Sequence, residues 1–159
     1  MRERSGKERR EPLKVLLVED DPAHAELIRR NLEEQGFAGE IEHVTDGEAA
    51  LDFLFRRNGW ASRETRDPDL VLLDIRLPRM TGLEVLEAIR GADQLSAMPT
   101  VMLTTSEADA DIRRAYSLRA NSYLVKPLDP ERFRALLRSL GLFWTLWSEL
   151  PRSPMTVGP

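Results

Sequence analysis

Residues 71–80 read VLLDIRLPRM. The apolar run 70–73 stops on the acid Asp74, and Pro78 follows four positions later. A continuous aliphatic stretch of this length, bounded by turn residues, is the pattern of a strand buried on both faces. A carboxylate ending such a strand has two uses. It caps the turn or helix that follows, or the sheet holds it at an edge where it does chemistry. For one acid taken alone the capping use is the commoner, so the rest of the chain has to decide.

Outward from this stretch the same pattern repeats. Residues 15–18 form an aliphatic run that stops at Glu19, Asp20 and Asp21. From Pro22, residues Ala23, Leu27, Ile28 and Leu32 keep helical spacing until Gly36. A short strand over 41–44 precedes a helix carrying Ala49, Ala50, Phe53 and Leu54 on one side. Residues 56–69, RRNGWASRETRDPD, are polar and broken by Gly and Pro, and read as a long loop. Beyond Asp74, a helix after Gly82 turns Leu83, Leu86 and Ile89 inward and ends near Gly91. Pro99 opens the run TVMLTTS, a helix covers about 108–118, and a fifth strand spans 123–125. KPLDP, residues 126–130, leads into a long last helix.

Strand then helix, five times over, implies an α/β fold: a doubly wound parallel sheet covered by five helices. Sites in such sheets form at the carboxyl ends of the strands. Glu19, Asp20, Asp74, Thr104 and Lys126 all fall on that edge. Clustered carboxylates repel one another, and a hard divalent cation relieves the repulsion. Mg²⁺ prefers a few carboxylates together with waters and phosphate oxygens. Lys126 and the Thr104 hydroxyl suit phosphoryl oxygens, so the set fits phosphoryl transfer to Asp74 as an acyl phosphate. Singly, each member has a plain structural use, with Asp20 or Asp21 capping the helix at Pro22 and Thr105 or Ser106 capping the helix after strand four. Their joint placement favours the site.

Over residues 13–140 the chain resembles the receiver domain of two-component response regulators. The motifs that carry this are LLVEDDP, LLDIRLPRMTG, VMLTTS and YLVKP, in order and correctly spaced. The resemblance implies a flavodoxin-like five-stranded sheet in the order 2-1-3-4-5. It implies that Asp74 is the phosphoacceptor, that Asp20 binds Mg²⁺ with Glu19 beside it through water, and that the backbone carbonyl of Arg76 completes the metal shell. Thr104 and Tyr123 match the switch pair, and Lys126 the phosphate-contacting lysine. On phosphorylation Thr104 would move towards the phosphoryl group and Tyr123 would fill the vacated space. The Lys126–Pro127 peptide is expected to be cis. Glu19 stands where many members have Asp, and Arg76 and Ser106 occupy flanking positions that modulate the lifetime of the phosphorylated state. The two histidines, His24 and His43, match no motif and read as structural or exposed.

Composition narrows the rest. Charged residues are 31% and the net charge is -4, so no broad basic surface suits nucleic acid. Absence of cysteine excludes a thiol nucleophile and thiolate zinc sites. No apolar run approaches the roughly 20 residues of a membrane span, and with no signal-peptide pattern a cytoplasmic location is expected. The chain divides into a charged, disordered arm over 1–12, a receiver domain over 13–141 and a C-terminal helix extension and tail over 142–159. The tail is too short for a DNA-binding or enzymatic output domain, so signalling is expected through the surface of helix four, strand five and helix five. Its FW and LP spacing, with the long loop 56–69, resembles single-domain regulators paired with phytochromes. That implies a sensor histidine kinase of bacteriophytochrome type as donor. An interaction module independent of phosphate is the alternative. A Mg²⁺-dependent hydrolase is disfavoured because Arg76 stands where a second acid belongs.

The last helix is expected to run about 20 residues, ~30 Å, with Gly141 as a weak point costing roughly 1 kcal/mol. Its first half carries Phe133, Leu136 and Leu137 towards the domain. The distal half carries Phe143, Trp144, Leu146, Trp147 and Leu150 as the expected interface of a homodimer.

Overall fold

The strands are β1 (Lys14–Val18), β2 (Glu40–Val44), β3 (Leu70–Leu73), β4 (Thr100–Thr104) and β5 (Ser122–Val125), with the fully buried β1, β3 and β4 the most apolar and the edge strands β2 and β5 more polar. The computed structural model describes residues 13–34 and 39–149, with side chains up to residue 139. Between the strands lie α1 (Pro22–Glu34), α2 (Gly47–Phe55), α3 (Gly82–Gly91) and α4 (Asp109–Ser117), and α5 (Pro130–Glu149) follows β5. The strands pair in parallel in the order β2-β1-β3-β4-β5, as expected.

Strand alternation divides the core between the two faces. Leu16, Val18, Val71, Leu73 and Met102 pack on one side against α2, α3 and α4. Val15, Leu17, Leu70, Leu72, Val101 and Leu103 face the other, where α1 and α5 supply Ala25, Ile28, Leu32, Phe133 and Leu137. Each fully buried aliphatic side chain contributes on the order of 1.5–3 kcal/mol relative to exposure. The central strands therefore cannot shift register without exposing several of them.

Helix starts follow local chemistry. Asp46 caps α2 by accepting from the Ala49 amide at 2.7 Å, and Thr81 and Glu84 form a reciprocal capping box on α3. Helix α4 occupies the expected span of about 108–118, with Ala108 as an N-cap that makes no side-chain cap and Leu118 as the C-cap. Helix α5 continues through Gly141 to Glu149, so that glycine does not end it. The side chains Phe143, Trp144, Leu146 and Trp147, together with Leu150 and the arm 1–12, lie outside the described residues.

The 56–69 segment carries more order than its polarity and breakers indicate. Residues Asn58–Trp60 make a single 3₁₀ turn that sets Trp60 edge-on to Phe53 at 4.9 Å. The Arg63 guanidinium stacks over Phe53 at 4.2 Å and donates to the carbonyls of Phe53, Thr65 and Arg66. One buried arginine thus gathers backbone acceptors that a loop this long otherwise leaves to solvent.

Candidate functional site

Register alone assembles the strand-end residues. Val18 is level with Leu73 across β1 and β3, so the next residues, Glu19 and Asp74, emerge side by side. Across β4 and β5, Thr104 is level with Val125, which puts Lys126 one residue beyond, its amide donating to the Thr104 carbonyl at 2.7 Å. Glu19, Asp74, Thr104 and Lys126 are all buried, whereas Asp20 is exposed at the rim.

The Lys126 ammonium spans the two buried acids. Its Nζ donates to Glu19 Oε2 at 2.5 Å and to Asp74 Oδ2 at 3.0 Å. Burial tends to push the Asp74 carboxyl up, but the Lys126 charge, the Thr104 hydroxyl and the Arg76 amide together hold it below its ordinary value. Glu19 goes the other way. Burial raises it to about 7 despite the closer contact to Lys126, because it lacks the second set of donors that Asp74 enjoys: its further donor is the Asp21 amide at 3.2 Å. The two buried acids thus differ: the site favours the ionised form of Asp74, whereas Glu19 is pushed up to about 7.

Glu19, Asp20 and Asp74 each bring a carboxylate oxygen within 4.8 Å of the others. Asp21 does not join them; its Oδ1 caps α1 by accepting from the Ala23 and His24 amides at 2.9 and 3.3 Å. The plain capping reading is thus right for Asp21. Arg76 is exposed, and its amide donates to Asp74 Oδ1 at 3.1 Å.

Gly82 lets α3 begin against this turn. Its amide donates to the Ile75 carbonyl at 2.9 Å, and a Cβ there would lie 2.0 Å from the Asp74 carbonyl oxygen. No side-chain rotation relieves a clash with backbone. Gly82→Ala is expected to destabilise by about 1–3 kcal/mol or more, read as a lower urea midpoint at unchanged slope. An unaltered midpoint would show that the turn yields freely.

The two residues expected to form a switch pair both have hydrogen-bond partners. Thr104 hydrogen-bonds Asp74, and the Tyr123 hydroxyl donates to the Ser106 carbonyl at 2.8 Å. The Lys126–Pro127 peptide corrects the expectation of a cis bond: it is trans, the form an X–Pro amide favours by about 0.5–1 kcal/mol.

Both histidines sit closer to the site than their sequence context indicated. His24 Nδ1 lies 3.2 Å from Lys126 Nζ, and its ring meets Phe133 of α5 edge-on at 5.7 Å. His43 Nε2 hydrogen-bonds the Glu19 carbonyl at 2.8 Å. Helical position of His24, one turn into α1, was the available signal, but its partner stands 102 residues away.

Comparison with known proteins agrees with this geometry. The family model described as the response regulator receiver domain matches residues 15–138. The probable methanogenesis regulatory protein FilR2 of Methanothrix harundinacea is 46% identical over 144 residues, covering 91% of each chain. Response regulator Rcp1 of Synechocystis is 34% identical over 140 residues, 88% of this chain and 94% of that protein. A crystal structure of its Mn²⁺-bound form superposes with a TM-score of 0.79 at 33% identity, covering 84% of this chain and 94% of that one. The phosphorylated cyanobacterial phytochrome response regulator RcpA superposes at 0.80 with 33% identity, over 88% and 99%. Sheet order, strand-end acids and these matches lead to one conclusion: the chain belongs to the response regulator receiver domain family and is related to the phytochrome response regulators.

Proposed function

We propose that the protein accepts a phosphoryl group on Asp74 from the phosphohistidine of a sensor histidine kinase. The observation that carries this reading is the buried Lys126 ammonium bridging Glu19 and Asp74, beside the exposed acid Asp20. An Asp74 carboxylate oxygen attacks phosphorus, the P–N bond to the donor imidazole breaks, and an acyl phosphate forms. Lys126 and the Thr104 hydroxyl lie where they receive phosphoryl oxygens.

The residues fit a divalent cation. One ammonium, Lys126, offsets only part of the charge of three carboxylates whose oxygens lie within 4.8 Å of one another, and such a set of acids is a Mg²⁺-type donor set. Glu19, Asp20, Asp74 and the carbonyl of Arg76 would hold the ion, which when bound neutralises charge developing on the transferred phosphoryl group. Transfer of labelled phosphoryl from a phosphorylated histidine kinase tests the reading. Label should appear with Mg²⁺, vanish with chelator and be released by hydroxylamine, as an acyl phosphate requires. A chain that takes up no label but still binds its partner is instead a phosphate-independent interaction module.

Because a cation needs ionised ligands, the titration of Glu19 near pH 7 gives a sign to the metal affinity. Mg²⁺ binding by calorimetry should strengthen as pH rises towards about 7 and level off above it, with proton release falling in parallel. A flat profile contradicts the ligand role of Glu19.

The output surface we assign to α4, β5 and α5. Among the described residues the large hydrophobics most exposed are Tyr116 on α4 and Leu128 just past β5. A phytochrome-type kinase as donor is supported by the likeness to RcpA, and transfer faster from such a kinase than from an unrelated one tests it. We further propose that the receiver unit covers residues 13–141 and that the distal half of α5 pairs two copies. Truncation after Leu140 then converts a dimer to a monomer in light scattering, and a monomeric full-length chain at high concentration removes the dimer.

A further inference from the structure

Every polar group of Ser106 is committed, and each commitment goes to a different part of the switch. Its amide donates to Thr104 Oγ1 at 3.3 Å, its carbonyl accepts from Tyr123, and its hydroxyl donates to Asp111 Oδ2 at 2.5 Å. The residue is 1% exposed, so no solvent replaces a lost partner cheaply. Asp111 lies in the first turn of α4, whose N-cap, Ala108, makes no side-chain cap. The Ala108 amide instead reaches Ser106 Oγ at 3.4 Å. The polar end of α4 is thus fastened through Ser106 rather than through its own cap residue.

We propose that Asp111 is a positioning residue that fixes the carbonyl acceptor of Tyr123 by holding the Ser106 hydroxyl. Helix α4 and the strand-end site then move as one unit. The inference deepens the phosphoryl reading and rests on it for its signalling meaning. A hydroxyl bound to a carboxylate is about twice as strong as a neutral pair. With that bond in place the loop after β4 presents its carbonyl at one position. Without it, Ser106 Oγ keeps only the long contact to Ala108, and the loop carrying the acceptor is free to turn.

The full chain has two tyrosines, so 3-fluorotyrosine labelling gives two ¹⁹F resonances, assigned with Tyr116→Phe. In the unphosphorylated protein, Asp111→Ala should move the Tyr123 resonance towards that of exposed Tyr116 and sharpen it. Asp111→Asn keeps an acceptor and should restore the wild-type position. Ser106→Ala severs the same bond from its other end and should reproduce the Asp111→Ala spectrum, which covers the case in which Asp111→Ala fails to fold. A Tyr123 resonance unmoved in both alanine variants overturns the proposal, as does an asparagine variant that behaves like alanine. Because no phosphoryl group is present in this measurement, a failed labelling experiment and a failed latch are separate results.

Discussion

Asp74→Asn should reduce phosphoryl uptake from a phosphorylated kinase to background while leaving the fold intact. An amide has the shape of the carboxylate and its single oxygen accepts from only one of the Arg76 amide and Lys126, and it cannot displace the donor imidazole. Loss of a nucleophile is among the largest single-residue effects in group transfer, because the remaining residues act only in concert with it. Circular dichroism should be unchanged and urea stability modestly lower, since the folded site favours an ionised Asp74 while Lys126 keeps Glu19 as a partner. Label retained at the wild-type rate would relocate the acceptor, and Asp20 at the rim would be the next acid to replace.

Lys126→Met is expected to be the most destabilising single change at the site. It keeps the volume and removes the charge, leaving Glu19 and Asp74 buried against each other without a counterion. Breaking a buried pair in this way costs about 3–5 kcal/mol. The pH dependence has a definite sign. The folded-state value of Glu19 lies above its unfolded one, so its contribution is fully present below the unfolded value, 4.5, and is lost as pH rises through about 7. Losing the ammonium removes an interaction that lowers Glu19, so the variant should be weakest above neutrality and closest to wild type in mild acid. Mg²⁺ should recover part of the loss, about 2.7 kcal/mol at a hundredfold excess over its dissociation constant. Thermal melts at two pH values, with and without Mg²⁺, read all of this. A variant that melts with wild type above neutrality in the absence of metal would mean that the acids are not electrostatically tied to Lys126.

What could be read from residues alone follows the range of the forces involved. Asp74 at the end of a fully apolar strand was legible, because burial on both faces and the carboxyl-edge rule depend on local pattern and topology. The same holds for Lys126 and Thr104, which sit at equivalent strand ends. The order within 56–69 was not legible, since Arg63 looks solvated until Phe53 supplies a ring beneath it. His24 was missed for a similar reason: in sequence it is an isolated histidine on a helix, and only folding brings Lys126 to its Nδ1. Ser106 read as one of two possible caps. Its threefold role appears only once Tyr123 and α4 converge on it.

The distances along the chain between the site's partners bear on when the site comes into being. Lys126 meets Asp74 across 52 residues and Glu19 across 107, and it follows the edge strand β5. A chain growing from its amino end therefore completes β1 and β3, with both acids, long before the ammonium arrives to join them. Contacts of such long separation form late and slowly in parallel sheets. Under the proposed function, a chain whose last strand has not docked lacks the ammonium that completes the acceptor site, so readiness for the phosphoryl group reports a finished fold.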